Sequence, residues 1–120
     1  MVSNIFNNYL YYAHLDPVVG SEQGGDRPVL VVDCYKSSSV CIVIPITLER
    51  LCDSRPYHID LSNGKGTVLV EQIRAISKSR IFDNVYVNRK YVTINENDRN
   101  LINEQLQKIC NLKPLYQKNQ

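Results

Sequence analysis

Two apolar runs separated by a short polar break constrain the fold of this chain more than any other feature. Residues 29–35 and residues 40–46 are dominated by β-branched and other apolar side chains, and three serines stand at 37–39. Runs of this length and composition are typical of strands that are buried on both faces. The sequence therefore predicts a β-hairpin whose two strands are largely buried.

Shorter segments on either side of the hairpin also have strand character. They lie at residues 9–15, 58–61, 67–77 and 90–94, and the segment 67–77 is interpreted as one strand or a bent pair. Turns are indicated at Asp16-Pro17 and at residues 63–66. Residues 48–57 carry charges, a proline and no regular period, which predicts a mobile loop.

The C-terminal part changes from strand to helix periodicity. Apolar residues repeat there at helical spacing, and they are Leu101, Ile102, Leu106, Ile109 and Cys110. Asn95 or Asn97 is placed to cap the start of this helix. The fold prediction is a single domain over residues 1–120 of mainly β (α+β) class. Its five to seven short strands form a strongly curved, barrel-like antiparallel sheet, with the C-terminal helix packed against it.

Composition excludes several classes of protein. A formal net charge of +2 is too small to mark a nucleic-acid binder by excess charge, so any basic surface must come from clustering. The N-terminus has no signal-peptide pattern, and no window approaches the ~20 apolar residues of a membrane span, so a cytoplasmic protein is predicted. A chain of 120 residues is small for an enzyme that buries its own cleft, which favours a site shared across a dimer.

Cysteine spacing bears on metal binding and on redox state. The four cysteines are Cys34, Cys41, Cys52 and Cys110. They show no CxxC spacing and no neighbouring pair of histidines, which argues against a zinc site. The prediction is therefore no metal, with buried or free thiols in a reducing compartment.

The stretch GSEQGGDRP, residues 20–28, combines glycines with charged and amide side chains. Glycines let a backbone pass close to a ligand and present bare N–H groups, and the guanidinium of Arg27 offers a fixed fork of donors that suits a phosphate. Pro28 stiffens the exit from the loop. The pattern fits neither a Walker loop nor a dinucleotide-binding loop, and a phosphate-gripping loop and a plain surface turn both remain open.

The stretch EQIRAISKSR, residues 71–80, is rich in cations. Strict alternation along a strand places Gln72, Arg74 and Lys78 on one face, and Arg80 extends the series into a basic stripe. The alternative interpretation is a charged strand edge that discourages aggregation. Thr47, at the end of the second apolar run, carries little information by itself.

Three segments in order, PVVGSEQGGDRPVLVV, IPIT and VLVEQIRAISKSRI, resemble the MazF/PemK family of toxins from type II toxin–antitoxin systems. The resemblance covers most of residues 9–81. It implies a small barrel of the Src-homology-3 type, as in CcdB and PemK, that works as a homodimer. It also implies a sequence-specific endoribonuclease that cuts single-stranded RNA without a metal or another cofactor, leaving 2′,3′-cyclic phosphate and 5′-hydroxyl ends.

The resemblance also assigns roles to individual residues. Arg27 and Thr47 correspond to the family's catalytic pair, and Glu22 to a loop glutamate that supports activity. The residues that correspond to RNA-contacting positions are Ser21, Gln23, Gly24, Gln72, Arg74, Lys78 and Arg80.

The general base is not identified by these residue types. Arginine keeps its proton far above neutral pH, so Arg27 is a poor base. His58 borders the loop 48–57 and is a candidate base, and Glu22 is another, while a structural role is the favoured interpretation for both His58 and His14.

The resemblance implies one further partner and leaves two rival functions. The partner is a cognate antitoxin whose acidic tail lies across the RNA groove, since a basic groove suits an acidic peptide as well as a polyanion. The first rival is a CcdB-like toxin that inhibits gyrase without catalysis. The second is a degenerate member that binds RNA or antitoxin without cutting.

Overall fold

The computed structural model describes residue 2, residues 4–49, residue 51 and residues 53–114. Within these ranges the strands are β1 (Leu10–His14), β2 (Asp26–Asp33), β3 (Val40–Thr47), β4 (His58–Asp60), β5 (Thr67–Leu69), β6 (Arg74–Ser77), β7 (Ile81–Asn84), β8 (Tyr86–Val87) and β9 (Lys90–Tyr91). Short 3-10 turns span Val70–Gln72 and Lys78–Arg80, and the helix α1 spans Glu96–Ile109.

The main sheet is antiparallel and centred on the predicted hairpin. Its strand order is β4-β5-β3-β2-β1-β7, and β6 pairs with β3 beside β5. Strands β8 and β9 form a separate small hairpin. A mainly β, antiparallel fold with a C-terminal helix is therefore confirmed. Among the described strands no pair joins β4 to β7, so the hydrogen-bonded path stays open and the closed barrel is not confirmed.

Alternation along the central strands gives the sheet two buried faces. Leu30 and Ile44 belong to one apolar cluster, whereas their neighbours Val31 and Val43 belong to the other. The first cluster is covered by α1 through Ile102, and the second is closed by side chains from β1, β6 and β7. Burial of each Val, Leu or Ile side chain contributes about 1.5–3 kcal/mol, so the hairpin, which supplies residues to both clusters, contributes substantially to stability.

The helix begins at the predicted cap. The Asn95 side chain accepts a hydrogen bond from the Asp98 backbone N–H at 2.8 Å, and Ile102 is buried. Leu101 and Cys110 were predicted on the buried face, but both are exposed, and this part of the prediction is wrong. Since Leu101 is next to Ile102 it points about 100° away around the helix.

Two predicted strands have different outcomes, since one interpretation of residues 67–77 is confirmed and residues 90–94 are only partly a strand. Residues 67–77 form the bent pair, because the 3-10 turn Val70–Gln72 separates β5 from β6. The predicted strand 90–94 is reduced to β9 and an isolated bridge between Tyr9 and Thr93. Strand β7, which pairs with β1, was not predicted.

The expectation of free thiols is wrong for two of the four cysteines. Cys34 and Cys41 form a disulfide across the β2–β3 hairpin, with their Cα atoms 4.6 Å apart. Facing residues of paired strands lie at this separation, and the register that pairs Asp33 with Ile42 brings the two cysteines together. Cys110 is free and exposed, and Cys52 lies outside the described residues.

Candidate active site

Arg27 and Thr47 lie at the open end of the hairpin, just beyond the last pair that joins its strands. That pair is Val29 on β2 and Pro45 on β3, so Arg27 is two residues before it and Thr47 two residues after it. There Arg27 pairs with Ala13 of β1, and Thr47 pairs with Thr67 of β5. Because alternate residues of a strand share a face, both side chains follow the face of the second apolar cluster to the open end of the hairpin. Both residues are half-buried there.

The glycine-rich loop orients the guanidinium of Arg27. The Arg27 Nε donates to the Gly24 carbonyl oxygen at 2.6 Å. The Gln23 amide, with its oxygen turned toward the guanidinium, accepts from Nη1 at 3.0 Å and from Nη2 at 3.1 Å. Two groups of the same loop therefore fix the direction in which the arginine points.

Close packing inside the loop explains the glycine at position 24. A Cβ atom there would lie 2.5 Å from the Asp16 Oδ1 and from the Val18 Cγ2. The Glu22 carboxylate accepts from the Val19 backbone N–H at 2.5 Å, so the side chain closes its own turn. Ser21 is exposed in the same turn. The loop is therefore a built structure and not a featureless surface turn.

A contact between distant parts of the sequence fixes the loop to the sheet. The Gln23 backbone N–H donates to the Gln72 side-chain oxygen at 2.6 Å, across 49 positions of sequence. A cleft of about 310 Å³ lies between the loop and the segment 71–74, and Glu22, Gln23, Glu71 and Arg74 contribute to its walls. The structure thus brings the two predicted site segments together around one cleft.

The cations of residues 74–80 do not form the single stripe that was predicted. Arg74 Nη1 donates to the Leu15 carbonyl at 3.1 Å, and Arg80 Nη1 donates to the His14 carbonyl at 3.0 Å. Lys78 instead donates to the carbonyls of the β2–β3 turn, at 2.5 Å to that of Tyr35. The 3-10 turn that follows β6 breaks the alternation, so Arg74 and Arg80 converge on the end of β1 while Lys78 points elsewhere.

His58 is enclosed by two carboxylates. Its Nδ1 lies 2.8 Å from the Asp53 Oδ2 and its Nε2 lies 2.8 Å from the Glu71 Oε2, and its side chain is only 8% exposed. Burial lowers the pKa of His58, but the hydrogen bonds and charges of the two carboxylates outweigh burial and raise that pKa above its ordinary value. The hydrogen bond from His58 also lowers the pKa of Asp53.

Glu71 was not among the candidate residues, although it precedes Gln72 directly. Its Oε1 is buried and has no hydrogen-bond partner among the described residues. The sequence contained a signal for Glu71, because this carboxylate directly follows the apolar residues 68–70. The structure buries those residues, so Glu71 lies near the core. Its position in the cleft depends on the 3-10 turn, which the sequence did not reveal.

The described residues of the loop 48–57 make several hydrogen bonds, and the mobility of this segment stays a prediction. The buried Thr67 hydroxyl accepts from the Leu51 backbone N–H at 3.0 Å, and its single proton is shared between the Asp60 Oδ1 at 2.5 Å and the Glu49 carbonyl at 3.1 Å. Asp53 is held by His58 and accepts from the Arg55 backbone N–H at 3.1 Å. These contacts place the described residues of the loop beside the cleft.

These groups can bind a phosphate and accept a proton. The oriented guanidinium of Arg27 suits the non-bridging oxygens of a phosphate, and a threonine hydroxyl such as that of Thr47 can also donate to a phosphate. The cleft also holds carboxylates that can accept a proton.

The described residues contain no group of three or more His, Cys, Asp or Glu side chains placed to hold a metal ion. None of their helices is long and apolar enough to cross a membrane.

Comparison with known sequences identifies relatives of this chain. A profile of the PemK-like, MazF-like toxins of type II toxin–antitoxin systems matches residues 8–110. The endoribonuclease EndoA of Bacillus subtilis is 39% identical over 85 residues, which span 63% of this chain and 73% of that protein. The endoribonuclease MazF of Staphylococcus saprophyticus is 33% identical over 81 residues, which span 60% of this chain and 68% of the relative.

Solved structures share the fold. The crystal structure of MazF from Deinococcus radiodurans (Form-I) superposes with a TM-score of 0.71 at 20% identity, covering 87% of this chain and 94% of that one. A MazE–MazF structure (Form-II) from the same organism gives a TM-score of 0.64 at 20% identity, covering 86% and 92%. At this level of identity the likeness establishes a common architecture.

Proposed function

This chain belongs to the PemK-like, MazF-like toxins of type II toxin–antitoxin systems, and from this premise we propose how its cleft cuts RNA. Its relatives are named endoribonucleases, and the chain is an endoribonuclease toxin. The observation that supports the mechanism is the orientation of the Arg27 guanidinium by the glycine-rich loop, at the end of the hairpin where Thr47 also lies.

The reaction we propose is attack by a ribose 2′-hydroxyl on the adjacent phosphate of the same RNA strand. A bond forms between O2′ and phosphorus while the bond from phosphorus to O5′ breaks, leaving a 2′,3′-cyclic phosphate and a 5′-hydroxyl. The 2′-hydroxyl proton passes to a base, and the departing O5′ takes up a proton. Nucleophile and electrophile come from one strand, so the step needs no cofactor, and DNA lacks the nucleophile.

Arg27 stabilises the negative charge that develops on the phosphorane oxygens. Because the Gly24 carbonyl and the Gln23 amide already orient it, little reorganisation is needed when the charge appears. One preorganised donor of this kind is worth about 3–4 kcal/mol of barrier. We assign the Thr47 hydroxyl to a non-bridging oxygen of the same phosphate.

We assign the base to a carboxylate of the cleft. Glu22 is one candidate, and Glu71, with its buried and unpartnered Oε1, is the second. Both ring nitrogens of His58 already face carboxylates, which favours a positioning role for His58 over that of a base. Single Glu→Gln substitutions at positions 22 and 71 separate the two candidates, since loss of the base removes the acidic limb of the pH–rate profile.

Substrate binding is assigned to the walls of the cleft. Gln23 and Gln72 line the cleft, and Ser21 and Gly24 belong to the loop that borders it; we propose that these four residues contact bases or phosphates. Arg74 and Arg80 add positive charge near the end of β1, and we propose a weaker contribution for Lys78, which lies by the β2–β3 turn. A single strand with splayed bases fits such a cleft better than a duplex.

The partners follow from the family. MazE–MazF structures are among the neighbours of this fold, and we propose a cognate antitoxin whose acidic tail occupies the same cleft as RNA. We further propose a homodimer in the cytoplasm. We also propose that the open sheet described above is part of a strongly curved barrel of the Src-homology-3 type.

The test is cleavage of a long RNA in EDTA by the wild type, Arg27→Ala and Thr47→Ala, with both cut ends mapped. The mechanism requires discrete cuts with cyclic-phosphate and 5′-hydroxyl ends, and both variants should lose them. Glu104→Gln, which removes an exposed carboxylate on α1, is the matched control and should cut like the wild type. A folded wild type that cuts none of several RNAs would contradict the nuclease, and inhibition of gyrase would then be measured.

A further inference from the structure

We propose that His58 is a positioning residue of this nuclease, whose doubly protonated imidazole ties the loop that carries Asp53 to Glu71 in the cleft. This inference rests on the proposed function and deepens it. It predicts that cleavage falls as pH rises, when the tie is lost, even though the groups that touch RNA keep their charge.

The geometry requires a proton on each ring nitrogen. Nδ1 faces Asp53 and Nε2 faces Glu71, each at 2.8 Å. A neutral imidazole has one N–H and one lone pair, so one of these contacts would set a lone pair against a carboxylate oxygen. With both nitrogens protonated, each contact becomes a charge-assisted hydrogen bond. While both carboxylates are ionised, the two contacts are both hydrogen bonds only in the imidazolium form.

The surroundings of the ring favour that form. Its side chain is 8% exposed, while those of Asp53 and Glu71 are 35% and 30% exposed. Of the titratable groups in the described residues, Asp53 and Glu71 are the two that act on the imidazole, and the Tyr57 ring contacts it edge-on at 5.0 Å. Burial disfavours the charge, and the two carboxylates overcome it, so the pKa of His58 is raised.

The sign of the pH dependence follows from this shift. A histidine whose pKa is raised by folding contributes stability below its unfolded pKa, and the contribution is lost as pH rises through the folded pKa. His58 has an ordinary value of 6.5, so the tie is complete in mild acid and is released above the raised pKa. In the released state the loop that carries Asp53 is no longer linked to Glu71, and the Glu71 carboxylate has lost the imidazolium beside it.

The tie is close to the groups that orient the catalytic arginine. Glu71 is followed by Gln72, whose side chain holds the backbone of Gln23, and the Gln23 amide faces Arg27. A displacement of Glu71 therefore reaches the guanidinium through two hydrogen-bonded links, from Gln72 to the Gln23 backbone and from the Gln23 amide to Arg27. A misplacement of about 1 Å in such a constellation can cost about 10²-fold in rate.

Two substitutions test the tie from its two sides. Asp53→Asn changes a partly exposed carboxylate, which leaves folding secure, and it removes one of the two charges that raise the pKa of His58. His58→Gln removes the ring. Glu104→Gln, which changes an exposed carboxylate paired with Lys108, is the matched control. Because the chain has two histidines, His14→Asn leaves His58 as the sole imidazole in an NMR titration.

The titration is expected to place the pKa of His58 above 6.5, and Asp53→Asn should lower it. In cleavage assays Asp53→Asn should move the alkaline fall of kcat to lower pH by the same interval. His58→Gln should abolish this fall and reduce kcat about 10–100-fold. Glu104→Gln should leave the profile unchanged.

Two results would overturn the proposal. One is a His58 that titrates at or below 6.5, and the other is superimposable pH–rate profiles for the wild type and Asp53→Asn. The titration needs no RNA, so it also separates the two proposals. If the wild type does not cut RNA while His58 still titrates high, the proposed nuclease is what has failed, together with the catalytic consequence drawn here.

Discussion

The two ends of the β2–β3 hairpin use the same strands and differ in what holds them. At the closed end, the disulfide between Cys34 and Cys41 joins the strands, and the Lys78 ammonium binds carbonyls of the turn. At the open end, Arg27 is oriented by its own loop, which is held in turn by Gln72 from another part of the chain. The closed end is held by a covalent bond in addition to hydrogen bonds, whereas the loop at the open end is held by hydrogen bonds.

This difference separates stability from chemistry. The face that buries Val29 and Val43 in the core continues to Arg27 and Thr47 at the open end, so one alternation builds both the core and the site. A perturbation at the closed end should therefore lower the free energy of unfolding without changing cleavage. A perturbation at the open end should change cleavage first.

The largest expected effect is at Arg27. Arg27→Ala should reduce kcat about 10²–10³-fold, because one preorganised donor to the transition-state charge is lost. Arg27→Lys keeps the charge and loses the fork of donors, so its loss should be intermediate. Thermal unfolding should change little in either variant. A large fall in melting temperature with normal cleavage would mean that Arg27 contributes to stability and not to catalysis, contrary to the comparison between the two ends.

The second largest effect is expected for Gly66, which packs against the end of β3 at the open end of the hairpin. Gly66 has φ +114°, and a Cβ atom there would overlap the Thr47 carbonyl oxygen, so Gly66→Ala must displace the end of β3. We expect a loss of about 3 kcal/mol in unfolding free energy, together with a fall in kcat. The control is Gly64→Ala, since Gly64 has φ +77° with open space around it and should cost about 1 kcal/mol. Equal losses of unfolding free energy in Gly66→Ala and Gly64→Ala would show that the overlap with the Thr47 carbonyl does not matter.

What could be predicted from the sequence was local. The strands of the hairpin and the cap at Asn95 follow from composition and from patterns a few residues long. Strand β7 was missed because its four residues include a single buried one, Ile81, and such a segment shows no alternation. The resemblance to toxins supplied the catalytic pair Arg27 and Thr47, and the structure places both residues at the open end of the hairpin.

The rest depended on contacts that no local pattern encodes. His58 meets Asp53 and Glu71 only because β4 pairs with β5 and a 3-10 turn follows β5. The disulfide depended on the exact register of the hairpin, since a slip of one residue would send Cys34 and Cys41 to opposite faces. The basic stripe failed for the corresponding reason, because alternation was assumed through a turn.

The closed end gives a prediction about stability alone. Cys34→Ser removes the disulfide, whose loss should cost about 2–3 kcal/mol by the entropy of a short closed loop. Chemical denaturation would measure this loss, and RNA cleavage at a temperature well below unfolding should equal that of the wild type. The exposed Cys110→Ser is the control for the change of residue type and should leave both quantities unchanged. A fall in kcat for Cys34→Ser would mean that the two ends communicate.

The smallest effect distinguishes the cations at the two ends. Each phosphate contact with single-stranded nucleic acid adds about 0.7 to the slope of log K against log salt concentration. Arg74 contributes to a wall of the cleft, so Arg74→Ala should reduce the slope by about this amount. Lys78 is engaged at the closed end, so Lys78→Ala should reduce the slope by clearly less than Arg74→Ala does. Binding of an uncleavable strand by fluorescence anisotropy over a salt series measures both, and equal reductions would extend the RNA path along the hairpin to its closed end.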